Sequence, residues 1–267
     1  MAGKLDGKIA IVLGAGQTPG ETIGNGRATA VMFAREGATV VCVDLYGDRA
    51  EDTVAQIRAE GNTADAFAVD VTDEQQLIAL FADVVTKYGR IDVLHNNVGV
   101  SIAAGDAPVD SIAKDVFDLM TRINLTSMVL ACKHVLPIMR AQGSGSIIHI
   151  ASNAVIIDYP NITYQTSKAG VVSLTTNVAF ANAEYGIRAN VILPGLMDTP
   201  IAIEARAALG VPREDVRAQR NARVPLGGRM GTGWDIGRAA VFLASDDAGF
   251  ITGVSLPVDG GQSLRCG

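Results

Sequence analysis

Seven short apolar runs, most of them rich in Val and Ile, recur along the chain, and most are separated by a longer stretch of helical patterning. The runs are residues 8–13, 39–43, 66–69, 91–95, 146–151, 188–193 and 253–258. Strands this apolar fit a parallel sheet buried on both faces rather than a half-wet antiparallel one. The intervening helical segments are about 26–36, 48–59, 73–88, 112–140, 162–185 and 234–244. Repeated strand–helix units predict an α/β fold: a doubly wound, seven-stranded parallel sheet with right-handed crossovers and helices on both faces. Pro137 is expected to bend or loosen the end of the fourth helix.

No repeat, linker or low-complexity stretch divides the 267 residues, so one domain over 1–267 is expected. One segment departs from the pattern. Residues 196–232 carry Pro200, Pro212, Pro225 and several arginines, and read either as a substrate lid or as a pair of surface helices with loops. A net charge of −6 without a Lys/Arg run argues against nucleic acid and leaves a small-molecule substrate. There is no apolar signal core at the start and no run near the roughly 20 residues of a spanning helix. A cytoplasmic protein without membrane contact is expected. Cys42, Cys132 and Cys266 are too far apart for a metal motif, as are His95, His134 and His149, so no metal is expected.

The first run ends in Leu13-Gly14-Ala15-Gly16, and a helix begins near Gly24-Asn25-Gly26-Arg27. Glycines there let backbone approach a pyrophosphate set against a helix N-terminus. Asp44 ends the second run, with Leu45 beside it. A carboxylate at that place bonds ribose hydroxyls and repels a 2′-phosphate, and the glycine loop holds no Arg or Lys to offset it. The order of strand, glycines, helix, strand and acid predicts a Rossmann-type domain that binds NAD rather than NADP.

Tyr164 and Lys168 are four apart in a helical segment and so share a face. A nearby ammonium is expected to lower the phenol pKa and make Tyr164 a proton donor or acceptor. Ser152 lies just past the fifth run, where strand ends face the ligand crevice, and can hold a substrate oxygen. Asn124 is a polar residue in an apolar helix; its plain reading is a buried amide bonded to backbone.

These residues together resemble the short-chain dehydrogenase/reductase family over nearly the whole chain. The resemblance extends to Asp70-Val71, Asn96-Asn97-Val98-Gly99 and Pro194-Gly195-Leu196-Met197-Asp198-Thr199. It implies that Asp70 and Val71 hold the adenine and that Asn96, Asn97 and Gly99 line the cofactor. Pro194, Gly195, Met197 and Thr199 would then surround the nicotinamide. It also implies a catalytic set of Asn124, Ser152, Tyr164 and Lys168, in which Asn124 distorts its helix and holds a water linked to Lys168. Gly14, Gly24, Gly26, Asp44 and Leu45 complete the implied cofactor site. Two departures stand out. Nine residues separate Gly14 from Gly24, about six more than is usual, around positions 17–22, and Leu13 replaces the usual threonine. The insertion is expected near the pyrophosphate without replacing the glycine turn. Val98 stands where the family has alanine.

The implied activity is NAD-dependent interconversion of a secondary alcohol and a ketone, with Tyr164 as acid/base. The alternatives are a 3-oxoacyl thioester reductase, a polyol or sugar dehydrogenase, or an NAD-binding regulator without catalysis. An apolar substrate is expected from Ala154, Val155, Ile156 and Ile157 on one wall and Leu196, Met197, Ile201, Ala202 and Ile203 opposite. Asp158, Tyr159 and Asn161 are the polar candidates. A homotetramer is expected from Met128, Val129, Leu130, Val171, Val172 and Leu174, and from the resemblance of residues 250–261 to the family's subunit-contacting end.

Overall fold

The apolar runs become strands because β-branched side chains pack well on both faces of a pleated sheet. The computed structural model describes residues 3–264. The first half holds β1 (Ile9–Leu13), α1 (Asn25–Arg35), β2 (Thr39–Asp44), α2 (Gly47–Ala59), β3 (Ala64–Ala68), α3 (Glu74–Tyr88) and β4 (Val93–Asn96). It continues with α4 (Lys114–Thr121), α5 (Ser127–Gln142), β5 (Gly145–Ile150), α6 (Ile162–Asn182) and β6 (Ile187–Pro194). Then come β7 (Met197–Asp198), α7 (Pro200–Ala207), α8 (Arg213–Asn221), β8 (Gly231–Thr232), α9 (Gly233–Ala244) and β9 (Ser255–Val258).

Seven strands form one sheet in the order β3-β2-β1-β4-β5-β6-β9, all parallel. One face is covered by α1, α2 and α9 through Phe33, Val54, Ile57, Ile236 and Ala240. The other is covered by α3, α5 and α6 through Leu77, Phe81, Val135, Met139 and Val178. β1 pairs with β2 on one side and β4 on the other, so the strand order reverses there. A crevice must open outside the carboxyl ends of those strands, since the connections leave in opposite directions.

The expected α/β fold is present, with three local differences. The edge strands β3 and β9 are not buried on both faces: Ala68, Ser255 and Pro257 are exposed. An edge strand has one flank in water, and there Pro257 withholds no needed donor. β3 also begins two residues before the expected run. The segment expected as one helix over 112–140 is broken by a π-helical turn at Arg122–Thr126, and α5 then runs through Pro137 as far as Gln142. The segment 196–232 contains the two helices α7 and α8, tied by a small cluster of Ile203, Val216 and Met230. Among the described residues no helix is long and apolar enough to cross a membrane.

Candidate active site

A cavity of ≈ 720 Å³ lies in the crevice and continues under α7 and α8. Its cofactor end is built on close backbone approach. A Cβ at Gly26 would stand 1.9 Å from the Gly14 carbonyl oxygen, so only glycine allows α1 to start against the end of β1. The Asn97 amide donates to that same carbonyl at 2.9 Å and ties the end of β4 to the turn. No side chain caps α1, and the buried Asn25 Oδ1 on the cavity wall has no partner among the described residues. Orphaned polar groups around a glycine floor fit a phosphate-bearing ligand.

The inserted loop leaves this turn in place. The Gln17 amide oxygen accepts from the Gly24 N–H at 2.9 Å, and its nitrogen donates to the Thr22 carbonyl at 3.3 Å, closing the loop on itself. Gln17 and Thr18 line the cavity beside Gly14 and Gly24, whereas Thr22 does not. The loop also reaches the far side. Glu21 pairs with Arg217 of α8 at 3.0 Å, and Arg217 continues to Asp198 at 3.3 Å.

Asp44 is held in place by backbone. One oxygen accepts from Gly16 N–H and the other from Tyr46 N–H, each at 3.1 Å. A cation that the glycine loop lacks arrives from α2: Arg49 lines the cavity, stacks 4.2 Å over the Tyr46 ring and packs beside Asp44 and Gly16. Arg49 is not legible from the glycine loop, since it lies on α2 and comes beside Asp44 only in the folded chain.

The chemical end gathers Ser152, Tyr164 and Lys168 on the same cavity. Lys168 is buried, and its ammonium donates to the Ile150 carbonyl at 2.9 Å. Burial lowers Lys168 to about 8. Tyr164 goes the other way: burial raises the phenol, and Ser152 beside it offsets only part of the rise. The net shift of Tyr164 is upward, with burial its largest cause, rather than the lowering expected from Lys168, whose ammonium stands 5.9 Å from the ring centroid. A Cβ at Gly99 would lie 3.0 Å from Lys168 Nζ and 3.5 Å from Asn124 Oδ1, so glycine there lets both groups close in.

Asn124 sits inside the π turn. Its oxygen accepts from Val100 N–H at 2.8 Å, and its nitrogen donates to the Val100 carbonyl at 2.9 Å and to Ser167 Oγ at 3.1 Å. The amide thus mimics a strand partner for Val100 and fixes the chain after β4 against α6. Asp106 does similar work for Tyr164. Its carboxylate accepts from the N–H groups of Thr163 and Tyr164 at 3.0 and 3.1 Å, capping α6 from 57 residues upstream of Thr163. No local motif marks Asp106 as a cap.

Of the expected site residues, Gly14, Gly24, Gly26, Asp44, Leu45, Asp70, Val71, Asn97, Gly99, Ser152, Tyr164, Lys168, Pro194, Gly195, Met197 and Thr199 line the cavity. Asn124 stands behind it, as described. Asn96 is a correction: it is buried in β4, off the cavity, with its side chain unpartnered among the described residues. Successive strand side chains point to opposite faces, so Asn97 and Asn96 cannot both face the ligand. On the substrate side Ala154, Ile157, Asp158, Tyr159, Asn161, Leu196, Ile201 and Ala202 line the wall. Val155, Ile156 and Ile203 do not: Val155 packs on a core cluster, Ile156 turns out to solvent and Ile203 joins the cluster between α7 and α8.

Known proteins resemble this chain over nearly its whole length. A family model described as enoyl-(acyl carrier protein) reductase matches residues 21–263. A 2,5-dichloro-2,5-cyclohexadiene-1,4-diol dehydrogenase of Sphingobium indicum is 38% identical over 267 residues, covering 99% of each chain. A crystal structure of a short-chain dehydrogenase/reductase from Burkholderia xenovorans superposes with a TM-score of 0.94 at 40% identity, covering 100% of both chains. The structure of an NAD+-bound xylitol dehydrogenase superposes with a TM-score of 0.86 at 34% identity, covering 97% of this chain and 100% of the other. The match runs through both ends of the cavity, and the chain belongs to the short-chain dehydrogenase/reductase family, oxidoreductases that use a nicotinamide cofactor on CH–OH groups.

Proposed function

We propose that the protein is an NAD-dependent dehydrogenase of a secondary alcohol carried on a ring. The observation that carries this reading is a single cavity with Ser152, Tyr164 and Lys168 at one end and the glycine floor with Asp44 at the other. When bound, the nicotinamide takes up or gives the hydride. Ser152 holds the substrate oxygen, and Tyr164 takes the hydroxyl proton in oxidation or returns it in reduction. Lys168 supplies positive charge beneath the phenol, and Asn124 holds the backbone that positions Lys168. Gly14, Gly24 and Gly26 admit the pyrophosphate, and Asp44 binds the adenosine ribose.

The similarity to a cyclohexadienediol dehydrogenase supports a cyclic substrate. The similarity to xylitol dehydrogenase favours a second reading, a polyol dehydrogenase, and supports NAD. Purified protein should reduce NAD with cyclohexanol or a substituted cyclohexanol at a higher kcat/KM than with xylitol. A higher value for xylitol would move the assignment to polyols, and no NAD reduction with any secondary alcohol would remove it.

We also propose a homotetramer. Met128 and Val171, expected at an interface, are buried within the subunit, but Val129 of α5, Phe180 of α6 and Phe250 before β9 are exposed. Phe180 is 89% exposed, more apolar ring than water normally meets on a helix. Light scattering at micromolar protein should give a mass near four chains, and a monomer mass would contradict the proposal.

A further inference from the structure

The helices over the substrate end carry three arginines to the cavity wall: Arg206 on α7, Arg220 on the last turn of α8, and Arg223 just after it. Arg220 is the informative one. It is 8% exposed, and its guanidinium meets only neutral atoms, donating to the Met197 carbonyl at 3.3 Å and to Met230 Sδ at 3.2 Å. Among the described residues no carboxylate pairs with Arg206, Arg220 or Arg223. Asp158 lines the same cavity without an arginine partner among the described residues, and three other acids pair with other arginines. Glu204 pairs with Arg213 at 2.6 Å, while Glu21 and Asp198 pair with Arg217. Burial, with Arg206 and Arg223 adding like charge, pushes Arg220 down to about 10 against the pull of Asp198 and Tyr159.

A buried guanidinium with no carboxylate in contact is costly, and its planar fork fits a carboxylate better than any neutral acceptor it now has. Tyr159 stands between the cluster and Tyr164. The Tyr159 ring packs against the Tyr164 ring, with centroids 5.6 Å apart, and its hydroxyl lies in the field of Arg206 and Arg220. Tyr159 therefore separates the phenol from the arginines. With the Tyr159 side chain in between, the arrangement favours a carboxylate some bonds away from the carbinol carbon.

We propose that Arg220, with Arg206 beside it, binds a carboxylate of the substrate, so that the enzyme acts on hydroxy acids whose hydroxyl is several bonds from the acid. The proposal rests on the secondary-alcohol reading above, with Tyr164 and Ser152 at the hydroxyl. It adds a charged anchor to the largely apolar pocket expected from the sequence, beyond the polar candidates Asp158, Tyr159 and Asn161.

The test compares 3- and 4-hydroxycyclohexanecarboxylate with their methyl esters and with cyclohexanol, all with NAD. For the wild type, kcat/KM should be at least about tenfold higher for one of the acids than for its ester. Arg220→Met should reduce that acid-to-ester ratio by about thirtyfold or more, mostly through KM, and Arg220→Lys should restore part of it. An acid-to-ester ratio at or below one in the wild type would overturn the proposal. So would an Arg220→Met variant that lowers acid and ester alike or chiefly raises the KM for NAD, which would assign the arginine to the fold or the cofactor. If Arg220→Met does not fold, wild-type inhibition decides. Cyclohexanecarboxylate should inhibit cyclohexanol oxidation at least about tenfold more strongly than cyclohexanecarboxamide. Equal inhibition overturns the anion site and leaves the alcohol reading standing. If no alcohol is turned over, calorimetry of cyclohexanecarboxylate against its amide, with NAD present, reads the anion site by itself, and equal binding of the two would overturn it.

Discussion

Tyr164→Phe is expected to lower turnover at least about a hundredfold while NAD binding stays within a few-fold of the wild type. The ring still packs against Tyr159, and the capping bonds from the Thr163 and Tyr164 N–H groups to Asp106 are backbone bonds that Phe keeps. Only the hydroxyl is lost, so the effect should fall on kcat. Single-turnover rates and NAD titration of the variant check it, and turnover within a few-fold of the wild type would remove Tyr164 from its role. The pH dependence follows from the same site. Burial raises the phenol above its usual value near 10, so at neutral pH it is protonated and suited to give its proton to a ketone. Lys168, lowered to about 8, is charged below that value and neutral above it. Ketone reduction should therefore be level on the acid side and fall as pH rises through about 8, where the ammonium is lost. A profile flat to pH 10 would separate the lysine charge from the chemistry.

Asp44→Ser is expected to shift cofactor preference toward NADP by at least about tenfold in the ratio of kcat/KM values. The carboxylate repels a 2′-phosphate and accepts from Gly16 and Tyr46. Removing it takes away the repulsion and leaves Arg49, already stacked on Tyr46 at the cavity wall, to meet the phosphate. Gain of NADP activity and loss of NAD affinity should appear together. Steady-state kinetics with both cofactors test this, and a wild type that uses NADP as well as NAD would sink the cofactor assignment. Arg49→Met in the Asp44→Ser background should reverse most of the gain, which separates attraction by Arg49 from simple relief of repulsion.

The element order was legible in the chain because burial on two faces forces continuous apolar runs, and the runs are local. The pairing of Tyr164 with Lys168 was legible for a similar reason: one helical turn fixes their shared face whatever the rest of the protein does. The glycine turn and Asp44 follow from a strand, a turn and a strand in sequence. What lay outside local pattern was decided by the folded chain. At the end of β4 the chain turns Asn97, just past the strand, to the cavity and Asn96 into the core. Asp106 caps the helix of Tyr164 across 57 residues, and Asn124 finds its partner at Val100 through a π turn that periodicity read as plain helix. The arginines at the wall were visible as residues but not as a site. Whether a guanidinium is a solvated charge or a buried, unpaired one depends on which carboxylates the fold has placed within reach. Here Glu204, Glu21 and Asp198 are matched to Arg213 and Arg217, and Arg220 is left facing the cavity.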